Sequence, residues 1–103
     1  MVAFPIQDAL AAKALAEINR IARDPGCINH SDHAVYDRMR LRDVTYDDIH
    51  YCLMTCSAID DIRRGQLGDL VYRVIGTCTE GKPLKVAVAI TNDDELMVVT
   101  VIR

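Results

Sequence analysis

The last third of the chain has the clearest pattern of hydrophobic and polar positions. Three runs rich in β-branched residues, over residues 70–75, 84–90 and 96–102, are separated by two polar segments of turn-forming composition. They predict a three-stranded antiparallel meander. Apolar side chains occupy both alternate sets of positions in the middle run, which predicts a central strand that is covered, or nearly covered, on both faces.

The first part of the chain has the spacing of amphipathic helices instead. Apolar residues set among good helix formers predict a helix of about five turns over residues 6–23. The sequence Asp24-Pro-Gly ends this helix, because proline cannot continue the hydrogen-bond ladder and glycine permits a reversal. Residues 27–30 are then expected to form a short extended connector.

Two shorter helices are expected to follow the connector. Ser31 is placed to cap the first of them, which covers residues 33–42. Thr45-Tyr-Asp-Asp48 has the pattern of a capping box. The apolar spacing after it predicts a third helix that ends near Thr55 and packs against the second.

These elements combine into a single α+β domain over residues 1–103. The period changes after the third helix, so residues 58–62 are expected to form a further short strand and residues 63–66 a loop. The predicted architecture is therefore three N-terminal helices followed by an antiparallel sheet of three or four strands. The first two helices are expected to cover one face of the sheet.

The composition narrows the class of protein only modestly. The chain has 103 residues, 50% of them hydrophobic, and a formal net charge of −3, which is typical of a globular domain and offers no overall attraction for nucleic acid. No apolar run approaches the length of a membrane span, and the N-terminus lacks the regions of a secretion signal. We therefore expect a cytoplasmic protein with no membrane association and reduced cysteines. The oligomeric state is left open.

Two arginines lie on the apolar side of the predicted second helix. At about 100° per residue, Arg38 and Arg42 fall in the middle of its apolar face. They could form a buried ion pair with the sheet, or open into a cleft and hold a phosphate bidentately. His33 begins the same helix and points roughly 140° away from Arg38. It could act as a general acid or base, or pair with Asp37 on the surface.

The spacing of cysteines and histidines also admits a metal site. Cys27-x2-His30-x2-His33 places three zinc-type ligands close together in sequence, and Cys52 and Cys56 stand one turn apart on the third predicted helix. Cysteines at that spacing on an apolar helix face are more often buried packing residues. We therefore expect no metal and no cofactor.

Six motifs follow one another along the chain in a characteristic order and spacing. They are Ser31-Asp-His-Ala, Arg38-Met-x2-Arg42-Asp-Val-Thr, the helix from Asp48-Ile49 to Leu53, Tyr72-Arg-Val-x-Gly76, Gly81-x2-Leu84-x-Val86 and Val98-Val-Thr-Val-Ile102. Together they resemble a bacterial family known as domain of unknown function 4258. The resemblance covers residues 28–103, and residues 1–24 look like the leader helix that many members have.

This resemblance implies a fold similar to the small RelE-like and BrnT-like ribonuclease toxins, whose genes often lie beside an antitoxin gene. It therefore implies RNA as a ligand and an antitoxin protein as a partner. In the mechanism that it implies, the 2′-hydroxyl of RNA attacks the neighbouring phosphate, arginines hold that phosphate, and His33 or Tyr72 moves protons. The polar positions that match the family are His33, Arg38, Arg42, Arg73 and Thr100.

The sequence departs from the family pattern in one respect and leaves a second function open. Family members commonly have the histidine four residues before the first arginine, whereas His33 lies five residues before Arg38. Tyr72 and Arg73 are neighbours on one strand, so only one of them can face the second helix. The chain is also acidic, while toxins of this family are usually basic. The alternative function is a non-catalytic interaction or regulatory module, a degenerate toxin fold that binds a protein partner.

Overall fold

The computed structural model of the chain describes residues 5–31, 43–65 and 69–102, and the structural statements below concern those residues. In chain order, the elements in these ranges are α1 (Pro5–Ala22), a 3-10 turn (Pro25–Cys27), β1 (Ile28–His30), α2 (Tyr46–Thr55), β2 (Ala58–Arg64), β3 (Leu70–Thr77), β4 (Pro83–Ile90) and β5 (Leu96–Ile102).

All five strands form one sheet, in the spatial order β1-β5-β4-β3-β2. Strands β3, β4 and β5 form the predicted antiparallel meander with β4 at the centre, and β2 adds to β3 in antiparallel fashion. Strand β1 pairs with β5 in parallel, with Ile28 opposite Leu96 and His30 opposite Val98. The sheet is therefore mixed.

The fold is of the predicted α+β class, but the predicted architecture is wrong. We expected three helices followed by an antiparallel sheet of three or four strands, whereas the described residues contain two α-helices and a five-stranded mixed sheet. Strand β1 also lies between α1 and α2 in the chain. The predicted second helix at residues 33–42 lies outside the described residues. Ser31, its expected cap, donates its hydroxyl to Val99 O at 3.0 Å.

Two local differences explain why the sheet contains strand β1 and why β2 is longer than predicted. The expected connector at residues 27–30 contains strand β1, because three residues are too few to show an alternating pattern and their partner strand lies at the other end of the chain. The expected loop at residues 63–66 begins later, because Arg63 and Arg64 continue β2 along β3. Charged residues are typical of an edge strand, and in sequence they resemble a loop.

Both helices pack on one face of the sheet and form the core with it. The helix predicted over residues 6–23 is confirmed as α1. Asn19 Nδ2 donates a hydrogen bond of 2.8 Å to Leu53 O, which joins α1 to α2. Neither of the described helices is long and apolar enough to cross a membrane. Among the largest fully buried side chains are Ile18, Ile49, Leu53, Leu84, Leu96, Val74, Val86, Val88, Val98 and Val101.

The central strand β4 is buried on both of its faces, as the sequence predicts. Val86 and Val88 point into the core and are fully buried. Ala87 and Ala89 point to the other face and are each 8% exposed. Both side chains are single methyl groups, so they leave space above the middle of the sheet.

The predicted capping box of α2 is present, and it also makes a tertiary contact. The Thr45 hydroxyl accepts a hydrogen bond from Asp48 N, and Asp48 Oδ2 accepts one from Thr45 N, both at 3.1 Å. Asp48 Oδ1 accepts hydrogen bonds from Thr79 N at 3.1 Å and Thr79 Oγ1 at 2.7 Å, in the turn between β3 and β4. These hydrogen bonds from Thr45 and Thr79 lower the pKa of Asp48 from 3.8 to about 2. One carboxylate thus joins the start of α2 to the sheet.

Gly76 marks a close approach of α2 to the sheet. A Cβ atom at this position would lie 2.8 Å from Cys52 Sγ and 3.3 Å from Cys52 O. Cys52 is fully buried, and its thiol donates to Leu84 O across 3.7 Å. Helix α2 can approach β3 this closely because Gly76 has no side chain.

Candidate functional site

The candidate site lies on the distal face of the sheet, defined here as the face opposite α1 and α2. Strand pairing places Asp61, Arg73, Ala87 and Thr100 side by side across β2, β3, β4 and β5. Since adjacent strands are about 4.8 Å apart, Arg73 and Thr100 flank Ala87 at a backbone separation of roughly 10 Å. The methyl group of Ala87 is short, so the row has a depression at its centre.

Strands β2 and β5, at the two ends of this row, each contain one extra residue next to the row. The β2–β3 register shifts at Asp60, so that Asp60 and Asp61 both stand beside Arg73. The β4–β5 register shifts at Val99, next to Thr100. β-Bulges redirect side chains and are over-represented next to active sites. Here they add one side chain on each side of the depression.

Asp60 binds two cations on this face. Its Oδ1 accepts a hydrogen bond from Arg73 Nε at 2.6 Å, and its Oδ2 accepts one from Lys85 Nζ at 3.1 Å. The hydrogen bond from Arg73 lowers the pKa of Asp60, and the same bond raises the pKa of Arg73. The side chains of Arg73 and Asp60 are 33% and 24% exposed, so water reaches the ion pair.

Two further arginines border the site at the end of β2. Arg63 Nε pairs with Asp61 Oδ2, and the Arg63 side chain is 76% exposed. Arg63 and Arg64 line a cleft of about 280 Å³ together with Arg73, Ala87, Val99 and Thr100. The cleft therefore has a basic rim and a largely apolar floor, which suits a ligand that carries both an anionic and an apolar group.

The structure brings together two of the six predicted site residues. Arg73 and Thr100 both line the cleft. Tyr72 is 7% exposed and lies in the core on the other face, because neighbouring residues of a strand point in opposite directions. His33, Arg38 and Arg42 lie outside the described residues.

Sequence reasoning missed Asp60 and Lys85. Both belong to charge clusters that are visible in the sequence, but a charged residue on a strand usually faces solvent and indicates no particular contact. A regular strand would point Asp60 and Asp61 to opposite faces. Their shared position beside Arg73 depends on the register shift in β2, for which the sequence offers no specific signal.

The residues of the alternative zinc site pack as ordinary side chains where they are described. Burial raises the pKa of Cys52 to about 12 and also raises that of Cys56. The His30 ring meets Tyr46 edge-on with 4.6 Å between ring centroids, and burial lowers the pKa of His30. Across residues 5–31, 43–65 and 69–102, no group of three His, Cys, Asp or Glu side chains is arranged to hold a metal ion.

The fold and the cleft define a class of small α+β protein, in which two helices cover one face of a mixed sheet and the other face carries a basic cleft. The family described as "Domain of unknown function (DUF4258)" matches residues 30–103. The chain belongs to this family, as its motifs predict. No curated protein and no solved structure matches the chain.

Proposed function

We propose that this protein is a toxin-like, metal-independent ribonuclease of a toxin–antitoxin system, and that a phosphate of RNA binds in the cleft of the distal face. The observation that carries the proposal is the row in which Arg73 and Thr100 flank Ala87. The family resemblance implies a role for both polar residues, and strand pairing puts them in one cleft. Tyr72, which is buried on the other face, is left out of the proposal.

Each residue has a role that its chemistry suits. In metal-independent cleavage the 2′-hydroxyl gives its proton to a base and attacks the adjacent phosphate. The bond between phosphorus and the 5′-oxygen of the next nucleotide breaks, and an acid protonates that oxygen, so the protein supplies a base, an acid and charge stabilisation. Arg73 is the phosphate clamp, because a planar guanidinium matches two phosphate oxygens. The Thr100 hydroxyl donates a hydrogen bond to the same ligand. The resemblance assigns further clamping to Arg38 and Arg42, and proton transfer to His33.

The distal face also favours a second function, the binding of a protein partner without catalysis. Ala87, Val99 and Ile102 give the cleft an apolar floor, and the carboxylates of Asp60 and Asp61 repel a phosphate that approaches the arginines. An apolar centre with a polar rim, and with arginine enriched, is typical of protein interfaces. The partner that fits the toxin resemblance is an antitoxin.

Cleavage of RNA distinguishes the two functions. We expect the wild-type protein to cleave a mixed-sequence single-stranded RNA in the presence of EDTA, and Arg73→Met to lower the rate about 10²-fold, as for other groups that stabilise charge in a transition state. Arg38→Ala combined with Arg42→Ala should lower it as well. Arg23→Met is the matched control, because it removes the same charge from an exposed arginine just after α1, and it should keep the wild-type rate.

Absence of cleavage by the wild type, or equal cleavage by Arg73→Met, contradicts the ribonuclease function. The interaction function then predicts that the protein co-purifies with the product of an adjacent small gene. Val99→Glu places a charge on the cleft floor and should abolish that complex while the circular dichroism spectrum stays the same. A complex that survives Val99→Glu contradicts binding through the distal face.

A further inference from the structure

The Asp60 carboxylate lies between Arg73 of the proposed site and Lys85, which lies beside that site on the distal face. We propose that Asp60 is an internal competitor: a phosphate of RNA binds Arg73 and Lys85 only by displacing the Asp60 carboxylate, so that Asp60 sets the affinity of the cleft. This inference rests on the proposed function. It adds a residue that has no counterpart among the positions implied by the family resemblance.

The contacts of Asp60 are those of a phosphate bound to two basic side chains. One oxygen accepts a hydrogen bond from Arg73 Nε at 2.6 Å, and the other accepts one from Lys85 Nζ at 3.1 Å. Carboxylate and phosphate oxygens both accept charge-assisted hydrogen bonds from guanidinium and ammonium groups. While Asp60 binds both cations, its carboxylate neutralises one of their two positive charges, so the two side chains attract an incoming phosphate less strongly.

The register shift in β2 places this carboxylate beside Arg73. In a regular strand only one of Asp60 and Asp61 could lie on the distal face. The shift gives Arg73 two acidic neighbours, of which Asp60 binds Arg73 and Lys85 while Asp61 binds Arg63. Asp60 is therefore the carboxylate that occupies Arg73, whereas Asp61 binds Arg63 at the edge of the cleft.

The ion pairs of Asp60 are exposed enough to exchange. The side chains of Arg73 and Lys85 are 33% and 43% exposed, and ion pairs in contact with water are weak. A phosphate can therefore replace the carboxylate without disturbing the buried side of the sheet. Ala87, the neighbour of Arg73 in the row, leaves room for the ligand above β4.

Binding of a non-cleavable RNA analogue tests the proposal. A fluorescein-labelled 2′-O-methyl oligonucleotide is titrated against the full chain, as wild type, Asp60→Asn and the control Asp94→Asn, with fluorescence polarisation as the readout. We expect Asp60→Asn to bind about three- to tenfold more tightly than the wild type, as for release of a partly exposed ion pair. Asp94→Asn should change the Kd less than about twofold, because Asp94 pairs with the exposed Arg20 of α1, away from the distal face, and acts on the site only through screened charge at a distance.

The Arg73 Nε–H signal in a nitrogen-edited NMR spectrum is an independent readout. Inorganic phosphate should shift this signal in the wild type, and should do so at about three- to tenfold lower concentration in Asp60→Asn. The same spectra report whether each variant is folded. In the wild type, phosphate should also shift the NMR signal of the Asp60 carboxyl carbon, because the carboxylate leaves Arg73, so a variant that fails to fold does not remove the test.

The outcomes separate this inference from the proposed function. Equal RNA affinity of Asp60→Asn and wild type, or an equal gain in Asp94→Asn, overturns the role of Asp60 and leaves RNA cleavage in place. A phosphate response that strengthens in Asp60→Asn, together with no RNA binding by any variant, supports the competition and refutes the RNA function. If phosphate shifts the Arg73 Nε–H signal neither in the wild type nor in Asp60→Asn, the inference is overturned.

Discussion

Replacement of Asp48 by asparagine should weaken the junction between α2 and the sheet without changing the volume of the side chain. The carboxylate accepts hydrogen bonds from Thr45 N, Thr79 N and Thr79 Oγ1. Asparagine has one accepting oxygen, and its NH₂ group would face at least one of these donors. The variant also removes a negative charge from the positive end of the α2 dipole.

The expected loss in free energy of unfolding is roughly 2 kcal/mol at neutral pH. The pKa of Asp48 is about 2 in the folded protein against an ordinary value of 3.8, and by linkage this difference corresponds to roughly 2 kcal/mol. Asp48 is only 8% exposed, so solvent screens the interaction little. Loss of an N-terminal cap or of a hydrogen bond to a charged group costs about 1–3 kcal/mol, which is the same order.

The effect should depend on pH in a defined direction. Because the pKa of Asp48 is lower in the folded than in the unfolded chain, the ionised carboxylate stabilises the fold fully above about pH 5. That contribution is lost as the pH falls through 3.8 toward 2. The difference in stability between wild type and Asp48→Asn should therefore shrink by roughly half between about pH 7 and pH 3.

Urea denaturation at a series of pH values measures this difference. Asp47→Asn is the matched control, because Asp47 carries the same charge in the first turn of α2 but is exposed. It should cost less than about 0.5 kcal/mol. The reasoning is refuted by a loss below about 0.5 kcal/mol in Asp48→Asn at neutral pH, or by a loss that stays constant down to about pH 3.

Two backbone predictions concern glycines. Gly76→Ala should destabilise the fold by about 1–3 kcal/mol in urea denaturation, because its Cβ would lie 2.8 Å from Cys52 Sγ; Cys52→Ala in the same chain should recover part of that loss, and additive losses would contradict the clash. Gly81→Ala should cost about 1 kcal/mol through conformation alone, since Gly81 has φ +84° and a Cβ there would meet nothing within 4 Å. A Gly81→Ala protein as stable as the wild type in the same assay would contradict that account.

Local sequence patterns predict the elements whose partners are near in the chain. The capping box at Thr45 and Asp48 needs only four residues, and it is present as predicted. The meander of β3, β4 and β5 needs only short polar turns between runs of β-branched residues. Strand β1 could not be predicted in this way, because its three residues pair with a strand at the far end of the chain.

The same distinction between local and long-range features applies to the candidate site. Alternation along β3 predicts that Tyr72 and Arg73 point to opposite faces, and they do. The family resemblance names Arg73 and Thr100 but gives no register. Register depends on bulges, and the two at Asp60 and Val99 are long-range features of strand pairing that the sequence does not display.

The parallel pairing of β1 with β5 determines the order in which this chain can finish folding. Ser31, which follows β1, donates its hydroxyl to Val99 O in β5, 68 residues further along the chain, so β1 has no partner until β5 has been synthesised. Once β5 has been synthesised, the meander can form before β1 pairs with it, because contacts between near neighbours in sequence form faster. Until β1 arrives, β5 exposes an unpaired edge, and such edges recruit strands from other molecules. A substitution that weakens β1 should therefore slow the last folding step and promote aggregation while leaving the meander intact.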